Sequence, residues 1–375
     1  MMKTRVLGKT GLTVPLLGMG CMRLPQHNGE IDEAEAEKMI DYCMEHGVNY
    51  FDTAYMYHGG KSESFVGRAL KKYPRGSYML ATKMPMVSVN CREDLDRFFS
   101  EQLEKTGADF FDLYLLHALE RHRIEKIAKL DVYEFAMKKK AEGKIKFLGF
   151  SFHDEPEILE QLVDKYQFDF AQIQLNYLDW DTLRGKKAYE ILTSRNIPIV
   201  VMEPLRGGYL ASLPGDAASE LEAAGIASAP AAALRWLGSL ENIKVVLSGM
   251  SNMRQLVENI QTMENFSPLN EAEAAAVNRA AEILKGSAAI PCTGCNYCED
   301  CPQGIKISKV FELYNRSATF KEGFWNRHYY FSFLSEQERG KTCLHCGLCE
   351  SHCPQHINIP ERLIEVREAF EKMRK

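Results

Sequence analysis

A chain of 375 residues, 45% of them apolar, has material for one large domain and a smaller companion. Its 46 basic and 51 acidic side chains leave a formal charge of −5, so neither a nucleic acid nor an anionic membrane surface is expected as a partner. No apolar run approaches a membrane span, and the opening Met1-Met2-Lys3-Thr4-Arg5 runs into Val6-Leu7-Gly8 rather than an apolar leader; the expected setting is cytoplasmic and reducing.

Over roughly the first 265 residues, short apolar runs alternate with amphipathic stretches. The strand candidates are Leu16–Gly20, Val48–Asp52, Tyr78–Lys83, Phe110–His117, Ile145–Ser151, Phe170–Leu175, Ile197–Glu203 and Lys244–Ser248. Helical patterns lie between them, among them Glu33–His46, Glu63–Lys72, Arg92–Thr106, Ile124–Glu142 and Met253–Glu264. Eight strand–helix units of this length predict an α/β fold, a (β/α)8 TIM barrel. Arg5–Leu7 and Leu12–Pro15 flank Gly11 and predict a hairpin closing the barrel floor. A doubly wound sheet is the rival, but no G-x-G-x-x-G follows any of these strands.

Further on, Glu271–Lys285 is rich in Ala and Glu and predicts a helix, which Gly286-Ser287-Ala288-Ala289 would stop. The expected divisions are a barrel over 1–270, a helical connector over 271–291 and a cysteine module over 292–375. Within the module, Ser308–Thr319 and Glu361–Lys375 predict helices. The aromatic residues Phe324, Trp325, Tyr329, Tyr330, Phe331 and Phe333 are expected to form its small core.

Eight of the eleven cysteines lie in two runs: Cys292, Cys295, Cys298 and Cys301, followed by Pro302, and Cys343, Cys346, Cys349 and Cys353, followed by Pro354. Three thiolates at short spacing can each take one corner of an iron–sulfur cube, and a more distant fourth closes it. Zinc ribbons use two separated C-x-x-C pairs instead. The repeated run ending in Cys-Pro resembles the ferredoxin pattern, in which the fourth cysteine ligates the other cluster. That pattern implies two [4Fe-4S] clusters, one on Cys292, Cys295, Cys298 and Cys353 and one on Cys343, Cys346, Cys349 and Cys301. The first motif has two residues, not three, before its last cysteine, and the gap between motifs is long, which favours a mainly helical module. Cys21, Cys43 and Cys91 are left over and read as ordinary apolar positions.

Polar residues gather where the early strands should end: Asp52-Thr53-Ala54-Tyr55-Met56-Tyr57, then Lys83, then His117. In a barrel those ends converge on one mouth. An acid, a phenol, an amine and an imidazole then suit carbonyl reduction. Hydride arriving at the carbonyl carbon leaves charge on oxygen, and a proton donor nearby lowers the barrier. A free phenol has a pKa of about 10, and a neighbouring cation favours the phenolate. Tyr57 is the candidate donor, Lys83 the cation, Asp52 its anchor and His117 the group orienting the substrate oxygen. Cys21, Met22 and Met86 follow strand ends and are candidate pocket walls, with His153 and Asp154 at the rim.

These residues carry a resemblance. From about residue 3 to 265 the chain resembles the aldo-keto reductases, in Asp52-Thr53-Ala54-x-x-Tyr57 with Ser62-Glu63, in Lys83, in Leu116-His117 and in Gly149-Phe150-Ser151. The resemblance implies a catalytic tetrad of Asp52, Tyr57, Lys83 and His117 and a nicotinamide cofactor, NADP or NAD. It implies that Ser151 and Gln172 hold the carboxamide with Asn176 nearby, and that Pro204, Leu205, Gly207 and Gly208 pass the pyrophosphate, where glycines let backbone amides approach. Gly249, Ser251, Gln255 and Asn259 correspond to the adenosine end. Two departures matter. Met202-Glu203-Pro204 lacks the tyrosine that many members stack on the nicotinamide. Gly249-Met250 and Gln255 replace a Lys-Ser pair and an arginine that clamp the 2′-phosphate, so NADPH and NADH both stay open.

The whole chain resembles an aldo-keto reductase with a C-terminal dicluster ferredoxin domain. A cube passes single electrons and a nicotinamide passes a hydride, and no flavin motif is visible to link them. The first reading is an NAD(P)H-dependent reductase of a small carbonyl substrate, with clusters for stability, docking or sensing. The alternative is an electron-transfer protein, fed by a ferredoxin or flavoprotein, whose barrel is a binding scaffold. A third reading leaves the module structural and the barrel inactive.

Overall fold

All eight predicted apolar runs become parallel strands, and the computed structural model closes them into one barrel. It describes residues 1–181, 185–286, 290–320 and 323–374. The strands in chain order are β1 (Thr4–Val6), β2 (Thr13–Pro15), β3 (Leu17–Gly20), β4 (Gln26–His27), β5 (Glu30–Ile31), β6 (Tyr50–Asp52), β7 (Met79–Met84), β8 (Phe111–Leu119), β9 (Ile145–Phe152), β10 (Phe170–Gln174), β11 (Ile199–Met202) and β12 (Ile243–Ser248). The barrel runs in sequence order from β3 through β6 to β12, and β12 pairs back onto β3. The chain divides into two compact units, Met1–Pro204 with Ala233–Leu269, and Leu205–Ala232 with Asn270–Lys375.

Alternation along each strand decides what faces the barrel interior. Tyr50, Ala81, Leu113, Leu115, Phe170, Val200, Val245 and Leu247 form one buried cluster together with Leu7 and Val14. Leu7 follows β1 and Val14 lies in β2, which pair antiparallel with Arg5 opposite Val14, so the expected hairpin fills the barrel interior at one end. The intervening residues Phe51, Leu80, Tyr114, Leu116, Phe150, Ile173, Val201 and Val246 belong to a second core shared with the surrounding helices. Asp52, Lys83, His117, Ser151 and Gln172 carry the same parity as the inner set. Two-residue alternation therefore brings them to the interior, at the C-terminal ends of β6 to β10.

Two features differ from the sequence pattern. The stretch expected as one helix over Ile124–Glu142 is two, Arg121–Lys129 and Val132–Ala141. Asp131 stands between them in the left-handed region at φ +52, a conformation an α-helix cannot include, and its side chain pairs with Arg92. A small hairpin, β4–β5, also follows β3; its strands are two residues each, too short for a periodic signal.

In the second unit the described residues from 290 onward form helices joined by loops and turns and contain no strand, in line with a mainly helical module. Its helices Ile307–Phe320, Gly323–Ser332 and Ile359–Arg374 bury Val310, Phe311, Leu313, Tyr330, Leu363, Val366 and Phe370 in one cluster, with six of the motif cysteines packed against it. Asn315 holds the entry to the first motif by bonding both backbone groups of Ile290, at 2.8 and 2.7 Å. The aromatic segment is less of a core than expected. Tyr330 is buried and stacks on Phe370 at 4.2 Å, while Tyr329 near the end of its helix and Phe333 just beyond it are exposed and stack on each other. The side chains of Phe324 and Trp325, and the stop expected at Ser287-Ala288-Ala289, lie outside the described residues.

Candidate active site and cysteine cavities

Lys83 is the hub of the buried polar group. Its ammonium donates to Asp52 Oδ1 at 2.6 Å and to the Thr53 carbonyl at 2.7 Å, and lies 3.4 Å from the Tyr57 hydroxyl. The side chain is fully buried, so the charge has no solvent shell and depends on these oxygens. Burial pushes the Asp52 carboxyl up, and the attraction of Lys83 opposes that shift. The rings of Tyr57 and His117 meet edge to face at 6.1 Å. Burial holds His117 well below the ordinary histidine range, and Lys83, His153 and Arg123 add repulsion, so the imidazole is neutral at neutral pH. All four residues of the expected tetrad come together in the first unit.

Behind Lys83, on the opposite face of the strands, lies a polar network that the sequence did not assign. Glu63 accepts from Thr82 at 2.6 Å and from Gln102 Nε2 at 2.7 Å. Gln102 also donates to the Lys83 carbonyl at 2.9 Å and accepts from the Tyr114 hydroxyl at 2.6 Å. These side chains are fully buried, and the network fixes the backbone from which Lys83 projects. The available signal was a glutamine on the apolar face of Glu93–Thr106.

His117 has its own support. Ala118 is at φ +52, strained for a residue with a Cβ, at the register shift between β8 and β9. Its N–H donates to Ser151 Oγ at 2.7 Å and its carbonyl accepts from Arg123 at 2.7 Å, while Arg123 pairs with the buried Glu120 at 3.1 Å. Arg123 and Glu120 are further residues the sequence reading passed over.

Among the residues expected at a nicotinamide, two stand side by side on neighbouring strands. Gln172 pairs with Ser151 across β10 and β9. The Gln172 Oε1 is buried and has no hydrogen-bond partner among the described residues, leaving an acceptor that suits a carboxamide N–H. Asn176 is committed to its own loop, accepting from Leu178 and Asp179 backbone amides. At the expected adenosine end, Gln255 accepts from the Ser251 amide at 2.8 Å, Asn259 donates to Ser248 at 3.1 Å, and the Arg23 side chain packs against Gly249. Pro204 closes the first stretch of the first unit, whereas Leu205, Gly207 and Gly208 belong to the second unit. Cys21, one of the expected pocket walls, is buried within electrostatic reach of Asp52 and Lys83, and Met86 is buried too. Cys43 is buried with its sulfur 3.5 Å from that of Met19; Cys91 is exposed and is no apolar core position.

In the second unit the cysteines ring two cavities. One is lined by Cys292, Cys295, Cys298 and Cys353, the other by Cys301, Cys343, Cys346 and Cys349, so each takes its fourth thiol from the other motif. The remaining walls are largely apolar: Ile307, Phe311, Ile357 and Ile359 around the first, and Ile305, Leu344, Leu348 and Leu363 around the second. Burial, then Cys295, Cys292 and Cys353, push the Cys298 thiol up; burial, Glu350, Cys301 and Cys343 push Cys349 up to about 11. Four mutually repelling sulfurs in an apolar wall are a donor set that fits an iron–sulfur cluster, whose iron offsets the thiolate charge.

Residues 16–282 match the model of the Aldo/keto reductase family, and residues 291–357 match that of the 4Fe-4S dicluster domain. L-galactose dehydrogenase of Arabidopsis thaliana is 27% identical over 288 residues, covering 71% of this chain and 89% of its own. NADH-specific methylglyoxal reductase of Escherichia coli is 26% identical over 336 residues, covering 76% and 100%. Among solved structures, an aldo-keto reductase from Bacillus halodurans in its holo form superposes with a TM-score of 0.64 at 25% identity, covering 75% of this chain and 96% of that one. The closed barrel, the grouped strand-end residues and these matches together place the chain in the aldo/keto reductase family, as an oxidoreductase with a C-terminal 4Fe-4S dicluster domain.

Proposed function

We propose that the protein reduces an aldehyde or ketone to an alcohol, using NADH or NADPH, with Tyr57 as proton donor. The observation that carries this reading is the placement of Lys83 between Asp52 and the Tyr57 hydroxyl. When bound, the reduced nicotinamide supplies the hydride. Tyr57 gives its phenolic proton to the carbonyl oxygen, and the Lys83 ammonium stabilises the phenolate left behind. Asp52 keeps Lys83 aimed at the Tyr57 hydroxyl. Neutral His117 donates a hydrogen bond to the same oxygen and fixes which face of the carbonyl is presented. Gln172 and Ser151 would hold the carboxamide. The relative named as an NADH-specific methylglyoxal reductase supports both the cofactor class and a small carbonyl substrate. On this reading residues 1–270 carry the hydride chemistry, 271–291 connect, and 292–375 hold two [4Fe-4S] clusters on the two rings of four cysteines.

Tyr57→Phe tests the assignment. The phenyl ring fills the same space without a proton, so kcat/KM for carbonyl reduction should fall by roughly 10²–10⁴-fold while dinucleotide affinity stays the same. Unchanged reduction by this variant would remove Tyr57 from the mechanism.

One observation favours the alternative of a ferredoxin or flavoprotein feeding the clusters. Cys346 is exposed, and Leu344 beside it is 64% exposed, so the second ring of cysteines opens on an apolar surface. A thiolate ligand at the surface offers a short path for single electrons.

A further inference from the structure

We infer that the first cysteine motif positions the loop after β11, Thr293 bracing Gly207, so that filling the cavity of Cys292, Cys295, Cys298 and Cys353 strengthens dinucleotide binding by that loop. The inference rests on the proposal above that the protein uses a nicotinamide dinucleotide, and on the family resemblance, which implies that this loop passes its pyrophosphate.

Arg206, Gly207 and Gly208 are consecutive residues with positive φ, at +48, +66 and +99. A Cβ on Gly207 would stand 1.7 Å from the Thr293 carbonyl oxygen and 2.6 Å from its carbonyl carbon. Both are backbone atoms, so no rotamer change relieves the clash. A Cβ on Gly208 would meet nothing within 4 Å. The two glycines thus differ: Gly207 admits the cysteine motif, whereas Gly208 faces open space on its Cβ side while its N–H donates to the Leu205 carbonyl at 2.9 Å.

Thr293 is a fixed support. It is buried, it lies between Cys292 and Gly294-Cys295, and it forms part of the wall of the first cavity. Asn315 pins Ile290 just before it. The chain beyond the loop is fastened to the same unit: Gly215–Ala223 packs on Glu271–Gly286, with Arg279 bonded to Glu220 at 2.6 Å. Residues 205–232 therefore belong with the cysteine module, although they follow a barrel strand in sequence. A cluster that ties Cys292, Cys295 and Cys298 to Cys353 holds Thr293 in place, and Thr293 holds the loop. Without the cluster, dinucleotide binding would first have to order the loop, and affinity would fall by that cost.

The test uses full-length protein purified anaerobically with its clusters, titrated with NADH and with NADPH by fluorescence. Gly207→Ala should weaken binding about tenfold or more, within the range of typical coupling between linked sites. It should also alter the EPR signal of the reduced cluster bound by the first motif. Gly215→Ala, in the same unit and with no neighbour near its Cβ, is the control and should leave both readouts unchanged. Wild-type protein stripped of its clusters should lose affinity to a similar degree and show faster hydrogen exchange at 205–211; this arm decides the matter if Gly207→Ala does not fold. Equal affinity in filled and stripped wild-type protein overturns the inference while leaving the dinucleotide reading intact. Failure of filled wild-type protein to bind either dinucleotide overturns that reading, and this inference with it.

Discussion

Lys83→Met is expected to remove carbonyl reduction and to destabilise the barrel at the same time. The substitution takes the only positive group hydrogen-bonded to Asp52 among the described residues and leaves a carboxylate that is 3% exposed, whose second oxygen already lacks a partner there. Breaking a buried ion pair from one side costs about 3–5 kcal/mol. For a unit of this size, that corresponds to a fall in melting temperature on the order of 10 °C. Turnover should fall by roughly 10²–10⁴-fold, because the phenolate of Tyr57 loses its stabilising cation. Adding Asp52→Asn separates the two effects. The double variant carries no buried charge, so it should recover most of the lost stability and none of the lost rate. Thermal melts alongside single-turnover rates check this. Recovery of the rate in the double variant would show that Lys83 acts only on folding.

The second large effect is expected from Cys353→Ser. Cys353 belongs to the second motif by sequence but lines the cavity of the first. Two full clusters amount to about eight irons per chain, and loss of one cluster alone would leave about four. Cross-ligation should take the content below that. Losing the first cluster frees Cys292, Cys295 and Cys298, and Cys301 of the second ring lies only three residues beyond Cys298. The cysteines also pack on the same cluster of Val310, Phe311, Leu363 and Val366, so loosening one ring disturbs the support of the other. Iron and acid-labile sulfide assays, with EPR of the reduced protein, measure the result. A variant that keeps one intact cluster with an unchanged EPR signal would show that the rings are independent.

Much of this was legible in the sequence because it rests on short-range periodicity. Alternation along β6, β7 and β8 gives Asp52, Lys83 and His117 the parity of Tyr50, Ala81 and Leu115, and parity is visible without a structure. The cysteine spacings were legible for the same reason. What stayed hidden depends on contacts distant in sequence. Gln102 reads as one polar residue on a helix, yet its amide joins Glu63, Thr82 and the Lys83 carbonyl. Ala118 carries no sign of a left-handed backbone, because its strain is met by Ser151 and Arg123 from other elements. Asp131 broke a helix that periodicity alone would have continued. The two glycines after β11 looked like one motif with one purpose; the approach of Thr293 to Gly207 alone separates them.

If the barrel reduces carbonyls with hydride from a nicotinamide and a proton from Tyr57, the clusters stay out of the electron path. One anaerobic experiment tests it most directly: NADH or NADPH oxidation with a panel of small aldehydes and ketones, recorded together with cluster absorbance and EPR. Alcohol should form stoichiometrically, with the cluster signals unchanged through many turnovers. Cluster reduction or oxidation in step with turnover, or cluster reduction by a ferredoxin or flavoprotein with no nicotinamide consumed, would contradict it.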